Sequence, residues 1–330
     1  MRHLLFKSLF VFTGLLISFN AEKEYLRYLR SYAPNSLGML QLLENTPSNF
    51  EINGMTIRQR MTFDPGVYFD NGTEEEKISS LKTIIHESHH QFNSSYALKL
   101  LSDAPPADYQ FRDDYSAFYY ADDDIILVKH SEVFNSNVLK KEIPKALQSF
   151  RYSPYIAPKS NLGSQVQGIY GLMDEFHSYY LGTRTGMESF SYFEKKAEND
   201  ISAYLEFVSS MSGSYWAFYE FKYFCLMYLK KAQEEHPDIY QQLLANTQLR
   251  KIYTKTSGNF ERLIETFHQK EKSILALAES KGINAKIEDG YFWIGNRGVG
   301  NTGEKTEALI KSLSSPELMA LHESFLLKNY

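Results

Sequence analysis

The amino-acid sequence predicts a mainly α-helical protein with a small antiparallel β-sheet, and three observations lead to this prediction. The stretch 73–102 begins with helix-capping residues and carries apolar residues at helical spacing. After residue 135, most of the chain shows the same helical type of pattern. Residues 50–61 instead alternate around Asn53-Gly54, a sequence typical of a tight β-hairpin turn.

Residues 1–21 have the features of a secretory signal peptide. Arg2 and Lys7 form a basic segment, and residues 8–19 are apolar but too short to span a bilayer, which needs about 20 residues. Ala21 offers a cleavage point, and a retained signal anchor is the alternative. The sequence therefore predicts an exported protein, periplasmic or extracellular, with no stable membrane insertion after cleavage.

The composition of the remaining chain restricts its partners and its domain organisation. Removing residues 1–21 takes away two basic and no acidic residues, so the formal net charge changes from −5 to −7, which argues against a nucleic-acid partner. Cys225 is the single cysteine, which excludes an intramolecular disulfide, and its apolar aromatic surroundings predict a buried thiol. The chain has no repeats and no linker. The sequence therefore predicts one large domain or two closely packed lobes, with a core over 22–182 and a helical lobe over 183–330.

Local signals place the elements in order along the chain. Helices are expected over 22–32, 36–44, 73–102, 161–181, 189–211, 214–236, 259–280, 306–313 and 316–327. Strands are expected over 50–61, 67–69, 109–120 and 125–130, with an aromatic strand from 291 and a glycine-rich loop to 301. For the helix over 73–102, Thr73 and Glu76 predict a capping box. For the helix over 161–181, Gly182 is the expected terminating residue.

Within the predicted helix 73–102, His86-Glu87-Ser88-His89-His90 fits the pattern H-E-x-x-H. Residues i and i+4 lie on the same face of a helix, so the imidazoles of His86 and His90 can bind one metal ion. Glu87 lies beside that metal, where its carboxylate can take a proton from a metal-bound water. His89 lies about 100° around the helix from His90 and is expected to point away from the metal.

The frequency of chance matches and the neighbouring residues both indicate whether this motif is functional. In a chain with 9 His and 40 Asp and Glu residues, the expected number of chance matches is about 0.03 at most. The alternative interpretation is a surface helix that carries a few polar residues. Ile84 and Ile85, directly before His86, favour a packed helix over a solvated one.

The H-E-x-x-H motif on a capped helix with apolar flanks resembles the zincin metallopeptidases. The resemblance covers about ten residues here and a second short stretch, and it does not extend to the rest of the chain. The segment after His90, Gln91-Phe92-Asn93-Ser94-Ser95, lacks the glycine and third histidine of the metzincin extension. The resemblance therefore points to the gluzincins, in which a glutamate outside the motif is the third ligand. It implies bound Zn²⁺, a zincin-like core with a small sheet before the motif helix, and a peptide or protein substrate.

The second informative stretch covers residues 161–182. On a helical period, one stripe of this stretch is small except for a single acid: Ser164, Gly168, Gly171, Glu175 and Ser178. Glycines inside a helix cost about 1 kcal/mol each relative to alanine, so the stripe predicts close contact with another helix. If that helix carries the motif, the Glu175 carboxylate projects into the contact and is the candidate third metal ligand. The alternative is a buried carboxylate paired with Arg151 or Arg184.

This stretch departs from the gluzincin pattern in two ways. The chain places 84 residues between His90 and Glu175, a longer gap than in the best-known glutamate-ligand peptidases. Tyr179 occupies the position, four residues after the ligand, where those enzymes commonly place an acid. Asp174 is a candidate to orient a ligand histidine, and it also competes for ligation. Three residues of the stretch are alternative hydrogen-bond donors to an oxyanion: Tyr179, Tyr170 and His177.

Together these observations predict an exported zinc-dependent hydrolase, with His86, His90 and Glu175 as metal ligands and Glu87 as general base. Peptide bonds are the expected substrate. Two alternatives stay open at this point: a non-catalytic extracellular binding protein that retains a structural zinc site, and a zinc amidase that acts on a non-peptide amide. Glu87 favours an enzyme over a binding protein, because a structural zinc site has no use for a base.

Overall fold

The computed structural model describes residues 23–59, 64–110, 113–157, 162–301 and 304–327. The predicted signal peptide, residues 1–21, lies outside the described residues. Within the described part of the chain, no helix is both long enough and apolar enough to cross a membrane. Helices dominate the structure and the strands form small antiparallel sheets, which confirms the predicted fold class at this level.

The helices are connected by turns, by short 3₁₀ helices and by the strands. The described residues form α1 (Glu24–Tyr32), α2 (Leu37–Glu44), α3 (Glu74–Asp103), α4 (Tyr152–Tyr155), α5 (Gly163–Val166), α6 (Ile169–Glu188), α7 (Phe190–Ala197), α8 (Ala203–Glu235), α9 (Pro237–Ala245), α10 (Thr247–Ser280), α11 (Glu304–Leu313) and α12 (Pro316–Phe325). Short 3₁₀ helices lie at Pro34–Ser36, Pro65–Tyr68, Ser136–Lys141 and Lys145–Leu147.

The strands form three separate sheets instead of the single sheet expected. They are β1 (Asn49–Ile52), β2 (Met55–Arg58), β3 (Tyr115–Ala121), β4 (Asp124–Lys129), β5 (Ala285–Glu288), β6 (Tyr291–Ile294) and β7 (Arg297–Gly300). β1 pairs with β2, β3 pairs with β4, and β6 lies between β5 and β7, all antiparallel. The predicted Asn53-Gly54 turn connects β1 and β2, and both of its residues have positive φ.

Four long helices, α3, α6, α8 and α10, form the centre of the fold. α6 packs against the other three, and the hairpin β3–β4 packs against α3. One hydrophobic cluster extends through these elements, and it includes the fully buried rings of Phe92, Phe176 and Phe221. This cluster contains residues from both 22–182 and 183–330, and residue 182 lies inside α6. The contact between α3 and α6 is the part of the core that positions the candidate site.

The helix predicted over 161–181 is wrong at both ends. The chain turns at Gly168, whose φ of +57° favours glycine, so the short helix α5 is separate from α6. A Cβ at Gly168 would also lie 2.6 Å from the Tyr228 hydroxyl. At the other end, α6 continues through Gly182 to Glu188, so Gly182 does not terminate the helix.

Gly182 instead allows α3 and α6 to approach each other closely. A Cβ at this position would lie 2.8 Å from the backbone oxygen of Lys82 and 3.6 Å from Cβ of His86. At Gly171, by contrast, a Cβ would meet the backbone of Ser164. The close contact between α3 and α6 therefore needs Gly182, the residue that the sequence pattern predicted as the end of the helix.

Other predicted boundaries also differ from the structure, and the helix predicted over 259–280 begins at Thr247. The break predicted between 211 and 214 lies instead between Ala197 and Ala203, where α7 ends and α8 begins. α8 continues through Gly213 with buried residues on both sides. The strand predicted over 67–69 is largely part of a 3₁₀ helix. The glycine-rich loop predicted after the aromatic strand contains β7, which completes the third sheet.

We expect Gly182→Ala to lower the free energy of unfolding by up to roughly 2 kcal/mol, since an extra methyl group in a packed core costs about 1–3 kcal/mol. The methyl group would meet a backbone oxygen that cannot rotate away, and this cost exceeds the roughly 1 kcal/mol that alanine gains over glycine in a helix. Gly258→Ala in α10 is the matched control, because its nearest new contact, with Arg262, is at 3.7 Å. Chemical denaturation should give a lower midpoint for Gly182→Ala alone. An unchanged midpoint for it would contradict the close contact.

Candidate metal centre

The H-E-x-x-H residues lie in the middle of α3, a helix of 30 residues. The predicted capping box is confirmed at its start: Glu76 N donates to Thr73 Oγ1 at 3.3 Å, and Thr73 N donates to Glu76 Oε2 at 2.7 Å. Ile84 and Ile85 are buried, as a packed motif helix requires. Because the helix is capped at its start and packed along its length, the segment around His86 has little freedom to fray.

His86, His90 and Glu175 converge across the contact between α3 and α6. The Nε2 atoms of His86 and His90 lie 3.1 Å apart, and Glu175 Oε2 lies 3.7 Å from the first and 3.6 Å from the second. A triangle with these sides has a point about 2.0 Å from each corner, and zinc bonds to histidine nitrogen and carboxylate oxygen measure about 2.0–2.2 Å. The structure therefore brings the three predicted ligands into a group that could hold one metal ion.

One oxygen of the buried Glu175 carboxylate has no hydrogen-bond donor, although the same carboxylate makes a side-chain hydrogen bond with Tyr155. Its side chain is 11% exposed, and no described residue donates a hydrogen bond to its Oε2 atom. An unpaired buried acceptor costs about 1–3 kcal/mol, and a metal ion at this position would offset that cost. Arg151 pairs with Glu220, and Arg184 lies near Glu188. The alternative pairing of Glu175 with either arginine is therefore absent among the described contacts.

Asp174 contacts the opposite side of the His90 ring. His90 Nδ1 lies 2.7 Å from Asp174 Oδ2, so Nδ1–H donates to the carboxylate, and Nε2, once deprotonated, directs its lone pair towards His86 and Glu175. A carboxylate in this position orients a metal-ligating histidine and raises its basicity. Of the two roles considered for Asp174, the structure places it where it can orient His90.

His89 is not part of the group that could hold the metal, although its Nδ1 lies 3.3 Å from Asp174 Oδ1. Its ring is fully buried, and its Nδ1 lies 2.9 Å from Ser178 Oγ. The ring also contacts Phe118 and His177. The predicted separation of His89 from the other two histidines is therefore present in the structure.

We expect His86→Ala and His90→Ala each to lose most of the bound zinc, whereas His89→Ala keeps it. Only the first two imidazoles face Glu175. Zinc per chain, measured by elemental analysis after metal loading, gives the comparison. His89→Ala removes a buried ring and should lower the thermal midpoint, so its folding is checked by circular dichroism. Loss of zinc from a folded His89→Ala protein, with retention in His90→Ala, would mean that His86 and His89 form the pair.

The buried acids and imidazoles shift one another's pKa. Burial raises the pKa of Glu175 to about 7, although the charge of His90 opposes this shift. Burial disfavours protonated His90, but the carboxylates of Asp174 and Glu175 outweigh it and raise the pKa of His90 to about 10. Burial and His90 together lower the pKa of His86 well below its usual value. The acids therefore favour a cation between the imidazoles, where a proton and a metal ion compete.

Zinc affinity is expected to decrease as the pH falls. Metal ligands must be deprotonated, and Glu175, with its pKa raised to about 7, gains a proton below neutral pH. His90, with its pKa raised to about 10, must release a proton when zinc binds at neutral pH. We therefore expect tighter binding at pH 8 than at pH 6, with about one proton released per zinc at pH 8. Calorimetry in buffers of different ionisation enthalpy measures both quantities, and an affinity unchanged over this range would contradict the ligand assignment.

Glu87 and His86 line a cleft beside the cluster. This cleft has a volume of about 260 Å³, and Glu87 is half-buried in its wall. Glu87 follows His86 directly on α3, so it lies beside the ligand face and does not belong to the group that could hold the metal. A larger cleft, of about 560 Å³, opens near the start of α3, but none of the four predicted site residues lines it. By size the larger cleft would be the candidate functional site, but the smaller cleft contains His86 and Glu87 and is therefore the better candidate.

Of the three alternative oxyanion donors, Tyr179 is the one that lines the smaller cleft. Its ring centroid lies 4.4 Å from that of His86, and its hydroxyl lies 3.1 Å from the hydroxyl of Tyr155. Tyr170 accepts a hydrogen bond from the backbone of Ser131, and its hydroxyl is held there.

His177 is unsuited to an oxyanion role. Its ring is fully buried, its Nδ1 lies 2.9 Å from Thr256 Oγ1, and its Nε2 lies 2.7 Å from the backbone oxygen of Tyr119. Both ring nitrogens therefore have partners inside the core.

Sequence reasoning missed three residues that line the smaller cleft: Lys82, Arg151 and Tyr155. Lys82 lies one turn before His86, so helical spacing alone would have pointed to it. Arg151 was considered solely as a partner for Glu175. Tyr155 carries no local signal, because its position depends on how the segment before α5 packs against α6.

Comparison of the chain with protein-family models, with curated proteins and with solved structures finds no match.

Proposed function

We propose that this protein is an exported zinc-dependent hydrolase with a zincin-like core of the gluzincin type, and that it cleaves peptide bonds. The observation that carries the proposal is the convergence of His86, His90 and Glu175 on one point, with Glu87 in the wall of the adjoining cleft. Two histidine nitrogens and one carboxylate oxygen form a donor set typical of catalytic zinc.

In this proposal each residue has a separate role. Zinc, when bound, lowers the pKa of a coordinated water to about 7 and polarises the carbonyl of the substrate. Glu87 accepts the proton of the attacking water and later delivers it to the leaving amine. Asp174 holds the His90 ring by the hydrogen bond to its Nδ1. Tyr179 donates a hydrogen bond from the cleft wall to the oxygen that becomes negatively charged.

The number of ligands favours an enzyme over a binding protein with a structural zinc site. Structural sites are closed by four protein ligands, whereas catalytic sites have three and leave one position open. Among the described residues, three side chains form the group that could hold the ion. A cleft next to that group, with a free carboxylate in its wall, is what a hydrolase needs and a structural site does not.

The proposal is tested by metal content and hydrolysis measured on the same preparation. About one zinc per chain is expected, together with cleavage of a mixed peptide pool that a chelator stops and added zinc restores. His86→Ala, purified in parallel, is the control for contaminating peptidases. A protein that takes up no zinc after metal-replete refolding would refute the proposal. A zinc-loaded protein that cleaves non-peptide amides but no peptides would place it among the amidases.

A further inference from the structure

The smaller cleft carries two cationic side chains next to the proposed metal centre. Lys82 lies one turn before His86 on α3, and Arg151 lies directly before α4. Both line the cleft, together with Tyr155 and Tyr179. The proposed catalytic roles use neither cation.

Arg151 is buried and holds an unused hydrogen-bond donor. Its Nη1 donates to Glu220 Oε2 at 2.6 Å, and its Nη2 donates to the backbone oxygen of Gly213 at 2.7 Å. Its Nε has no partner among the described residues, although the side chain is 7% exposed. Glu220 balances the charge of Arg151, and these two bonds use two of the five N–H donors of the guanidinium.

Lys82 has no acidic partner within the described part of the chain. Its ammonium donates to the backbone oxygen of Ser210, and to Ser210 Oγ at 3.1 Å. The ammonium of Lys82 is poorly solvated and lies near the charge of Arg151, and both effects lower its pKa to about 8. A buried cation without a carboxylate partner is costly, and an anion bound beside it would reduce that cost.

The distance between Arg151 and the proposed ligand His86 is comparable to the length of a dipeptide. The ring centroid of Tyr179 lies 4.4 Å from that of His86 and 4.2 Å from Cζ of Arg151, so one aromatic ring separates the guanidinium from a proposed ligand. An extended residue spans about 3.3–3.6 Å. About two extended residues of a peptide therefore span the distance between the His86 ring and the Arg151 guanidinium.

We propose that Lys82 and Arg151 bind a carboxylate of the substrate that lies within one or two residues of the scissile bond. This inference rests on the proposed function and narrows its substrate class to peptides cut next to a free C-terminus or next to an acidic side chain. The carboxylate accepts hydrogen bonds from the ammonium of Lys82 and from N–H groups of the Arg151 guanidinium, because both residues line the cleft.

The test measures peptide binding to the zinc-loaded Glu87→Gln protein, so that the probes are not consumed. Three probes differ at one end: N-acetyl-tetraalanine with a free carboxylate, its C-terminal amide, and an amide of the same length that ends in glutamate. Calorimetry should show the free acid, the glutamate amide or both binding on the order of tenfold or more tightly than the alanine amide. Comparing the free acid with the glutamate amide distinguishes a terminal carboxylate from an acidic side chain.

Variants of Lys82 then locate the binding groups. Lys82→Met keeps the apolar stem and removes the charge, so it should abolish most of the advantage of the carboxylate probes, and Lys82→Arg should retain much of it. Lys99→Met is the matched control, because it removes the same charge from an exposed part of α3 near Asp103. Metal content and thermal midpoints confirm that each variant is folded.

The outcomes separate this inference from the proposed function. Equal binding of all three probes to a zinc-loaded protein whose wild type cleaves peptides would overturn the carboxylate site and leave the proposed function standing. A carboxylate advantage that survives Lys82→Met but not Lys99→Met would place the anion elsewhere and also overturn it. A zinc-loaded wild type that cleaves no peptide at all would refute the proposed function, and the carboxylate site would fail with it.

Discussion

Replacing Glu87 with glutamine is expected to abolish hydrolysis while zinc content is unchanged. The amide has nearly the size and shape of the carboxylate but cannot accept the proton of the attacking water. General-base catalysis contributes about 10²–10⁴-fold to a rate, so kcat/KM should fall by at least about 10³-fold if Glu87 also delivers the proton to the leaving group. Glu87 is outside the group of atoms that could hold the metal, so its removal should leave zinc in place.

Two measurements make the result for Glu87 interpretable. Elemental analysis gives zinc per chain, and kcat/KM is measured with a peptide that the wild-type protein cleaves. Glu132→Gln is the control for the loss of one negative charge, because Glu132 is exposed and outside the cleft. Loss of zinc from Glu87→Gln would show that Glu87 is a ligand. Unchanged turnover would show that it is not the base.

The elements that the sequence predicts well carry their own local signals. α3 has a capping box, three acids in its first turn and a regular apolar pattern, so its start was predicted to within a residue. Gly168 and Gly182 could not be interpreted in the same way. Glycine serves as a helix end, as a turn with positive φ, or as a site of close approach, and the neighbouring residues do not distinguish these uses. Here the tertiary contacts decide: Tyr228 crowds Gly168, and the backbone of Lys82 crowds Gly182.

The residues of the candidate site also differ in whether local sequence or tertiary packing determines their position. His86, Glu87 and His90 share one helical turn, so their relative placement follows from helix geometry alone. Glu175 required an inference from helix packing, and the structure brings it to both histidines. Arg151 and Tyr155 reach the cleft through the packing of the segment around α4, which has no periodic pattern of its own. Their place in the cleft could not be predicted, because it depends on contacts distant in sequence, such as Arg151 with Glu220.

Glu175→Ala is expected to weaken zinc binding more than Asp174→Ala does. A residue that orients a ligand histidine typically contributes 10–100-fold to metal affinity, so Asp174→Ala should cost about that much. Loss of a direct ligand leaves two imidazoles and should cost more than about 100-fold. Competition with a chromophoric chelator measures both affinities at one pH. Glu175→Gln belongs in the series, because it preserves volume and removes the charge.

The zinc-free proteins provide an independent readout for Glu175. Burial raises the pKa of its carboxyl to about 7, so in the zinc-free protein ionising this group costs stability as the pH rises from its usual pKa of 4.5 to the shifted value. Above neutral pH, Glu175→Gln should therefore unfold no more easily than the wild type without zinc, and it should lose most of the stabilisation that zinc confers on the wild type. Thermal midpoints at pH 8, with and without zinc, give this comparison. A Glu175→Gln protein that is stabilised by zinc as much as the wild type would end the assignment of Glu175 as third ligand, and with it the main support for the catalytic interpretation.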